Sequence, residues 1–238
     1  MKARVLLSWS SGKDSAWALH VLRADPTVEL VGLLTSVNQT ASRVAMHAVR
    51  EGLLEAQAAA VGLPLAKVYI PQPCSNAEYE AAMGAAVADA RQAGVTHMAF
   101  GDLFLDDIRA YREEKLAGSG IEPLFPIWGR PTADLSREMV GAGLRAVVTC
   151  VDPRQLDASF AGRIYDASLL DDLPDGVDPC GERGEMHSFA YAGPMFAEPL
   201  RVVTGEVVER DGYVFADVLP AQPGVVTLPR GASEAQRR

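Results

Sequence analysis

Cysteine is scarce in this chain of 238 residues, which contains only Cys74, Cys150 and Cys180. These three residues lie far apart, and no Cys-x-x-Cys pair exists. An odd number of widely spaced cysteines indicates neither a zinc ribbon nor a disulfide framework. We therefore expect reduced thiols, as in a cytosolic protein.

Long apolar runs and excess basic charge are also lacking. No run approaches the ~20 apolar residues that a membrane helix needs, and the chain starts on a strand pattern rather than a signal sequence. It has 22 Lys and Arg against 31 Asp and Glu, for a net charge of −9. This balance disfavours a general binder of nucleic acid or of anionic membranes. The sequence predicts a soluble, cytoplasmic protein with no membrane partner, and it disfavours nucleic acid as a partner.

A loop suited to phosphate lies near the start of the chain. The apolar run at residues 5–7 ends in small hydroxyl residues, and Asp14 opens a helical pattern. A strand, a tight loop and a helix N-terminus offer free N–H groups and a positive dipole end to an anion. Lys13 adds a fixed charge, and Gly12 lets the backbone come close to a phosphate and accepts a positive φ without strain. The residues predicted to bind ATP phosphates here are Ser8, Ser10, Ser11, Gly12, Lys13, Asp14 and Ser15.

This loop differs from the Walker loop, which needs Gly five residues before the Gly-Lys pair and Ser or Thr directly after the Lys. Leu7 and Asp14 occupy those positions. The loop resembles the S-G-G-x-D-S signature of the PP-loop ATP pyrophosphatases, which cut ATP between its α and β phosphates. Ser11 replaces the first Gly of that signature. The alternative is an ordinary strand-to-helix turn capped by Ser and Asp.

The order of apolar segments predicts the fold class. Strand patterns cover 4–9, 29–36, 66–70, 97–100, 122–126 and 145–151, and helix patterns cover 14–23, 44–60, 77–93, 105–117 and 134–141. The alternation predicts an α/β protein with a parallel, doubly wound, Rossmann-like sheet, which binds ligands at the carboxyl ends of its strands. A hairpin is expected over 202–209 and 213–219. Residues 221–238 are typical of a flexible tail.

Two further stretches narrow the resemblance. Residues 181–189 read Gly-Glu-Arg-Gly-Glu-Met-His-Ser-Phe, followed by Gly-Pro-Met-Phe at 193–196, and residues 123–129 read Pro-Leu-Phe-Pro-Ile-Trp-Gly. With the loop, these stretches resemble the diphthine–ammonia ligase family of PP-loop ATPases over roughly residues 4 to 200. The resemblance implies an adenine nucleotide alpha hydrolase-like (HUP-like) ATP-binding domain at 1–131. It also implies a smaller C-terminal α/β part at 132–220 that binds substrate, before the tail at 221–238.

The resemblance also implies an activity and its reagents. A substrate carboxylate attacks the α-phosphorus of ATP, pyrophosphate leaves, and ammonia then displaces AMP. ATP and Mg²⁺ are the implied cofactors, and the carboxylate belongs to a protein side chain or a small molecule. The implied catalytic residues are Lys13, Glu182 and Glu185. The two acids would bind a cationic substrate group, hold ammonium or take its proton.

Six other residues are candidates for the ligand edge of the sheet. We expect ATP contacts from Thr35, His47, Gly101 and Asp102. We expect substrate contacts from Arg109 and His187, in addition to Glu182 and Glu185. Structural alternatives exist for three of them. Asp102 could cap a helix, Arg109 could lie on a solvated helix face, and His47 could be a partly buried helix residue.

Two other functions fit parts of the sequence. An ATP-binding regulatory module would use the same loop without turnover. A tRNA-modifying PP-loop enzyme would use it too, but the negative charge, the missing Cys pair and the lack of a basic appendage disfavour that function. A homodimer is compatible with such a sheet, and nothing in the sequence specifies one.

Overall fold

In the computed structural model, two β-sheets share one apolar core. The structure describes residues 2–39, 43–44, 49–71 and 73–221, with the backbone alone at 43 and 44. The first sheet uses strands up to residue 124, and the second uses strands from residue 145 onward. One cluster of buried residues joins them, from Leu7 and Trp17 on one side to Leu135 and Phe189 on the other.

The first sheet is parallel except for one short strand, and buried apolar clusters cover both faces of its central strands. Its strands are β1 (Ala3–Ser8), β2 (Val28–Asn38), β4 (Leu65–Ile70), β5 (His97–Ala99) and β6 (Glu122–Leu124), with β3 (Arg43–Val44) antiparallel to the end of β2. The parallel strands lie in the order β4-β2-β1-β5-β6. The order reverses at β1, which leaves a crevice at the carboxyl ends of β1 and β5. The predicted α/β class with a parallel, Rossmann-like sheet is confirmed.

Four helices connect these strands: α1 (Lys13–Ala24), α2 (Glu51–Val61), α3 (Asn76–Gln92) and α4 (Asp106–Leu116). A capping box of Ser75 and Glu78 starts α3, and Gly62, in a left-handed conformation with φ of 67°, ends α2. The helix predicted over 44–60 begins only at Glu51, because residue 44 instead pairs with β2. His47 lies outside the described residues. Within the described residues, no helix has the length and apolar character to cross a membrane.

The second sheet is antiparallel. Its strands are β7 (Arg145–Val151), β8 (Ile164–Tyr165), β9 (Met186–Ala192), β10 (Val202–Arg210) and β11 (Tyr213–Pro220), accompanied by helices α5 (Thr132–Gly141) and α6 (Ala167–Asp172) and a 3₁₀ turn at Ala158–Phe160. The central strand β7 pairs with β8, β9 and β11, and β10 pairs with β11. The predicted hairpin is confirmed, with Asp211 and Gly212 both at positive φ in its turn. Of the predicted tail, residues from 222 onward lie outside the described part.

Candidate functional site

A cavity of about 540 Å³ opens at the carboxyl ends of β1, β2 and β5, in the crevice where the strand order reverses. Its volume is typical of small-molecule sites. The predicted site residues that line it are Ser8, Ser10, Lys13, Asp14, Ser15, Thr35, Gly101, Asp102, Glu182 and His187. Four predicted residues are not among the described residues that line it: Ser11, Gly12, Arg109 and Glu185. Both sheets therefore contribute walls to one cavity.

The loop after β1 contains a strained residue. Ser11 has a φ of 67°, whereas Gly12 has a φ of −83°. The left-handed residue is therefore the one before Gly12, although Gly12 is the position at which a positive φ would cause no strain. Ser11 stands where the signature has its first Gly, and a left-handed φ strains a residue that carries a Cβ. Its side chain is fully buried, and its Oγ has no hydrogen-bond partner among the described residues.

Hydroxyl groups surround the start of α1. Ser10 Oγ accepts a hydrogen bond from the Gly12 N–H at 3.3 Å and lies 3.1 Å from Ser15 Oγ. The Ser15 hydroxyl lies 3.0 Å from the Gly12 carbonyl oxygen, to which it donates. Ser10 and Ser15 line the cavity together with the first helical residues. An anion bound there would meet these hydroxyls and the positive end of the helix dipole.

Lys13 is a buried cation at the cavity wall, with 2% exposure. Its Nζ donates to Asp14 Oδ2 at 2.9 Å and to the carbonyl oxygen of Cys180. Burial acts to lower the pKa of Lys13, but the nearby carboxylates of Asp14 and Glu182 outweigh burial and hold the pKa above its ordinary 10.5. The ammonium group therefore stays charged at neutral pH.

Gln57 supports the phosphate loop from outside the cavity lining, and the sequence motifs do not reveal it. Its side chain is completely buried in α2. Nε2 donates to the carbonyl oxygens of Ser11 at 2.9 Å and Ala190 at 2.6 Å, and Oε1 accepts from Trp9 Nε1 at 2.9 Å. A Gln on the apolar face of a helix is the sequence feature that could have indicated its role, because a buried polar group needs hydrogen-bond partners. The other buried residues of that face are Leu53, Leu54, Ala58 and Val61.

Thr35 also supports the loop. Its side chain is 3% exposed, and its hydroxyl donates to the Trp9 carbonyl oxygen at 2.7 Å. The Trp9 N–H in turn donates to the Leu34 carbonyl oxygen at 2.8 Å. The structure therefore places Thr35 at the cavity, where its hydroxyl proton is used to hold the first residue of the loop. Its contact with ATP stays a prediction.

Gly101 and Asp102 follow β5 and face the loop from the other side of the crevice. A Cβ at Gly101 would lie 2.9 Å from the backbone carbon of Asp14, so only Gly permits this approach to α1. Asp102 Oδ2 lies 3.4 Å from Nε of Arg112, whose guanidinium lies 4.9 Å from the centre of the Phe100 ring. The N-cap of α4 is residue 105, so Asp102 does not cap that helix.

The two acids of the C-terminal motif, Glu182 and Glu185, have different surroundings. Glu182 lines the cavity, and its Oε1 accepts a hydrogen bond from the Leu103 N–H at 2.7 Å. Burial raises the pKa of Glu182 to about 7. Glu185 is 2% exposed, and its two carboxylate oxygens accept from the N–H groups of Asp178 and Arg183, both at 3.0 Å. The two carboxylates therefore do not converge on one cation, and Glu185 braces the turn that carries Glu182.

The remaining predicted substrate residues differ in placement. His187, on β9, lines the cavity. Burial and the nearby charge of Lys13 lower its pKa to about 4, so the imidazole is neutral at neutral pH. Arg109 lies elsewhere, with its guanidinium 4.9 Å and 5.0 Å from the ring centres of Phe125 and Trp128. The structure thus brings His187 to the cavity and packs Arg109 on an aromatic pair.

Known proteins resemble the chain along most of its length. The family model for the diphthamide synthase N-terminal domain matches residues 1–120, and the model for the diphthamide synthase C-terminal domain matches residues 131–217. Among curated relatives, proteins named diphthine–ammonia ligase from Rattus norvegicus and Homo sapiens are 30% and 32% identical over 120 residues.

Those two matches cover 48% of this chain and 45% of each relative, so the matched region spans just under half of either relative. A protein of the same name from Danio rerio is 27% identical over 235 residues, which is 90% of this chain and 92% of the relative. The first model covers every strand of the first sheet except β6, and the second covers the second sheet up to residue 217. The chain belongs to the diphthamide synthase family.

Proposed function

We propose that this protein is an ATP-dependent, AMP-forming amide ligase that joins ammonia to a substrate carboxylate. The observation that carries the proposal is one cavity lined by Lys13, by the start of α1 and by Glu182. A buried cation and a helix N-terminus suit a triphosphate, and a carboxylate with a raised pKa suits a nucleophile that must lose a proton. Its relatives carry the name of a ligase for diphthine and ammonia.

In the first half-reaction, a carboxylate oxygen of the substrate attacks the α-phosphorus of ATP. The bond from that phosphorus to the oxygen of the β-phosphate breaks, which yields an acyl-adenylate and pyrophosphate. Negative charge grows on the leaving pyrophosphate, close to Lys13 and the hydroxyls of Ser10 and Ser15. Donors that are already in place stabilise this charge without reorienting, which lowers the barrier.

Mg²⁺ bound in the cavity would be held largely by phosphate oxygens. In the described part of the chain, no group of three or more acidic, His or Cys side chains could hold a metal ion on its own. Asp14 and Asp102 do line the cavity, and Oδ1 of Asp14 has no hydrogen-bond partner among the described residues. Since Mg²⁺ commonly binds substrate phosphates plus one or two carboxylates, these two acids would hold it. When bound, it would neutralise charge on the phosphates.

In the second half-reaction, the ammonia nitrogen attacks the acyl carbon, and the carbon–oxygen bond to AMP breaks. The nitrogen then loses one proton to solvent, which leaves the neutral amide. Ammonium must first give up a proton, and Glu182, with its pKa raised by burial to about 7, is the base that we assign to it. His187 is a weaker base, because its pKa is lowered to about 4. Glu185 contributes by holding the turn that carries Glu182.

The test is the release of pyrophosphate and AMP from ATP, with ammonium and a panel of carboxylates that includes a diphthine-bearing protein. We expect amide, AMP and pyrophosphate in equal amounts with the correct carboxylate, and release at least 10²-fold slower with Lys13→Ala. Lys67→Ala is the matched control, because Lys67 also pairs with acids, Glu51 and Glu55, but away from the cavity. Tight ATP binding without pyrophosphate would indicate a regulatory module, and salt-sensitive tRNA binding would indicate a tRNA-modifying enzyme.

A further inference from the structure

Gln57 has a fully buried side-chain amide, and its hydrogen bonds go to the phosphate loop and to β9. Its two donated bonds reach the carbonyl oxygens of Ser11 and Ala190, and its oxygen accepts from the indole of Trp9. Trp9 and Ser11 flank the loop residue Ser10, which lines the cavity. Gln57 does not belong to the cavity lining, so its contacts act on the loop and not on a ligand.

The carbonyl oxygen of Ser11, the residue with the strained backbone, accepts two hydrogen bonds. It accepts from Gln57 Nε2 at 2.9 Å and from the Ala190 N–H at 2.9 Å. Two hydrogen bonds to one carbonyl fix the orientation of the peptide that follows the left-handed residue. A non-Gly residue stays in that conformation only when the surrounding structure enforces it.

We propose that Gln57 is a positioning residue that clamps the phosphate loop onto β9 in the conformation that binds the triphosphate. The inference rests on the proposed function, because it assigns the loop to ATP. Without the Gln57 amide, the Ser11 carbonyl oxygen keeps only the hydrogen bond from the Ala190 N–H. The loop conformation that binds the triphosphate then becomes a smaller fraction of the population. Apparent affinity for a triphosphate falls by that same fraction.

A double-mutant cycle with Ser11→Gly tests the clamp, because Gly adopts a positive φ without strain. The probe is α,β-methylene-ATP with Mg²⁺, measured by titration calorimetry. We expect Gln57→Leu to weaken binding about tenfold and Ser11→Gly, added to it, to restore about fivefold. The control is Gln92→Leu, which changes an exposed amide at the end of α3 and should leave affinity unchanged.

The possible results distinguish a failure of the Gln57 clamp from a failure of the proposed ATP-dependent function. A wild-type protein that fails to bind the analogue overturns the proposed function. A wild-type protein that binds it, with Gln57→Leu binding equally well, overturns only the clamp. Lost affinity that Ser11→Gly does not restore shows a packing role for Gln57 instead and also overturns the clamp.

A measurement on the wild type covers the case in which Gln57→Leu does not fold. The side-chain amide protons of Gln57 should exchange with solvent as slowly as the backbone amides of β1, and their NMR signals should shift when the analogue binds. Exchange at the rate of a solvent-exposed amide, or signals that the analogue leaves unmoved, would overturn the clamp.

Discussion

The carbonyl oxygen of Cys180 accepts a hydrogen bond from the ammonium group of Lys13, so a residue that precedes β9 holds the cation at the start of α1. Asp14 binds the same nitrogen at 2.9 Å from the neighbouring position. The lysine that we assign to the triphosphate is therefore fixed at the cavity wall by both parts of the chain. Such a fixed charge stabilises developing negative charge more than a mobile one, because no reorganisation is needed.

Replacing this lysine should affect both turnover and stability. We expect Lys13→Ala to lower the rate of pyrophosphate release at least 10²-fold. The change leaves Asp14, part of which is exposed, without its countercharge, so the free energy of unfolding at pH 7 should fall by about 1–3 kcal/mol. Burial already raises the pKa of Asp14, so the loss should shrink as Asp14 becomes protonated at low pH. Urea unfolding between pH 4 and pH 8 measures it, and a loss independent of pH would contradict the assignment.

Ser11 offers a direct test of backbone strain. Ser11→Gly should raise the free energy of unfolding by about 1 kcal/mol relative to Ser11→Ala, because Ala keeps the Cβ that a left-handed φ disfavours. Both variants remove the buried hydroxyl that lacks a partner, so their difference isolates the backbone term. Thermal unfolding of the two variants measures it. Equal midpoints would show that the residue is not left-handed in solution.

Glu182 should determine the pH dependence of amide formation. With its pKa raised by burial to about 7, the carboxylate becomes a base only as the pH rises through that value. At constant total ammonium, we expect the rate to rise about tenfold per pH unit below pH 7 and to level off above it.

Two variants at the cavity check this assignment. Glu182→Gln should lower the rate about 10²–10⁴-fold, and its residual rate should follow the free ammonia concentration with no break near pH 7. His187→Asn should keep the break, because the lowered pKa of His187 lies near 4. A break that moves or disappears in His187→Asn would assign the proton to the imidazole.

The two motif acids should affect stability in opposite directions. Glu185→Gln replaces an oxygen that accepts from a backbone N–H with an amide donor, so we expect a loss of about 1–3 kcal/mol in the free energy of unfolding. Glu182 has a raised pKa, so its contribution to stability is complete below its ordinary pKa and is lost as the pH rises through 7. Glu182→Gln should therefore match the wild type at pH 4 and exceed it at pH 8. Urea unfolding at both pH values measures these free energies. A Glu185→Gln variant as stable as the wild type would contradict the bracing role that we assign to Glu185.

Local signals in the sequence predicted the sheet and the place of the loop, because the β-α-β alternation puts strand ends at one edge. They did not predict which loop residue is left-handed, since the choice between Ser11 and Gly12 depends on bonds from Gln57 and Ala190. The role of Glu185 was hidden for a related reason. Spacing in a Gly-rich turn does not determine which backbone N–H groups will meet a carboxylate. The late start of α2 arose because residues 43 and 44 pair with β2.

Two arginines on α4 provide the last test, because they lie one turn apart and only one of them reaches the cavity. Arg112 lines the cavity, pairs with Asp102 and lies over Phe100. Arg109 packs on Phe125 and Trp128 instead. A cation at the cavity wall can bind a substrate carboxylate, and Arg does so with two parallel hydrogen bonds.

We therefore expect Arg112→Ala to raise the KM for the carboxylate about tenfold, with a smaller effect on the KM for ATP. Arg109→Ala should leave both constants within about twofold and should lower the midpoint of thermal unfolding, because it removes two cation–π contacts. Steady-state kinetics of the two variants, with ATP and then the carboxylate at saturation, separates these effects. A larger change in carboxylate KM for Arg109→Ala than for Arg112→Ala would assign the carboxylate contact to Arg109 and not to Arg112.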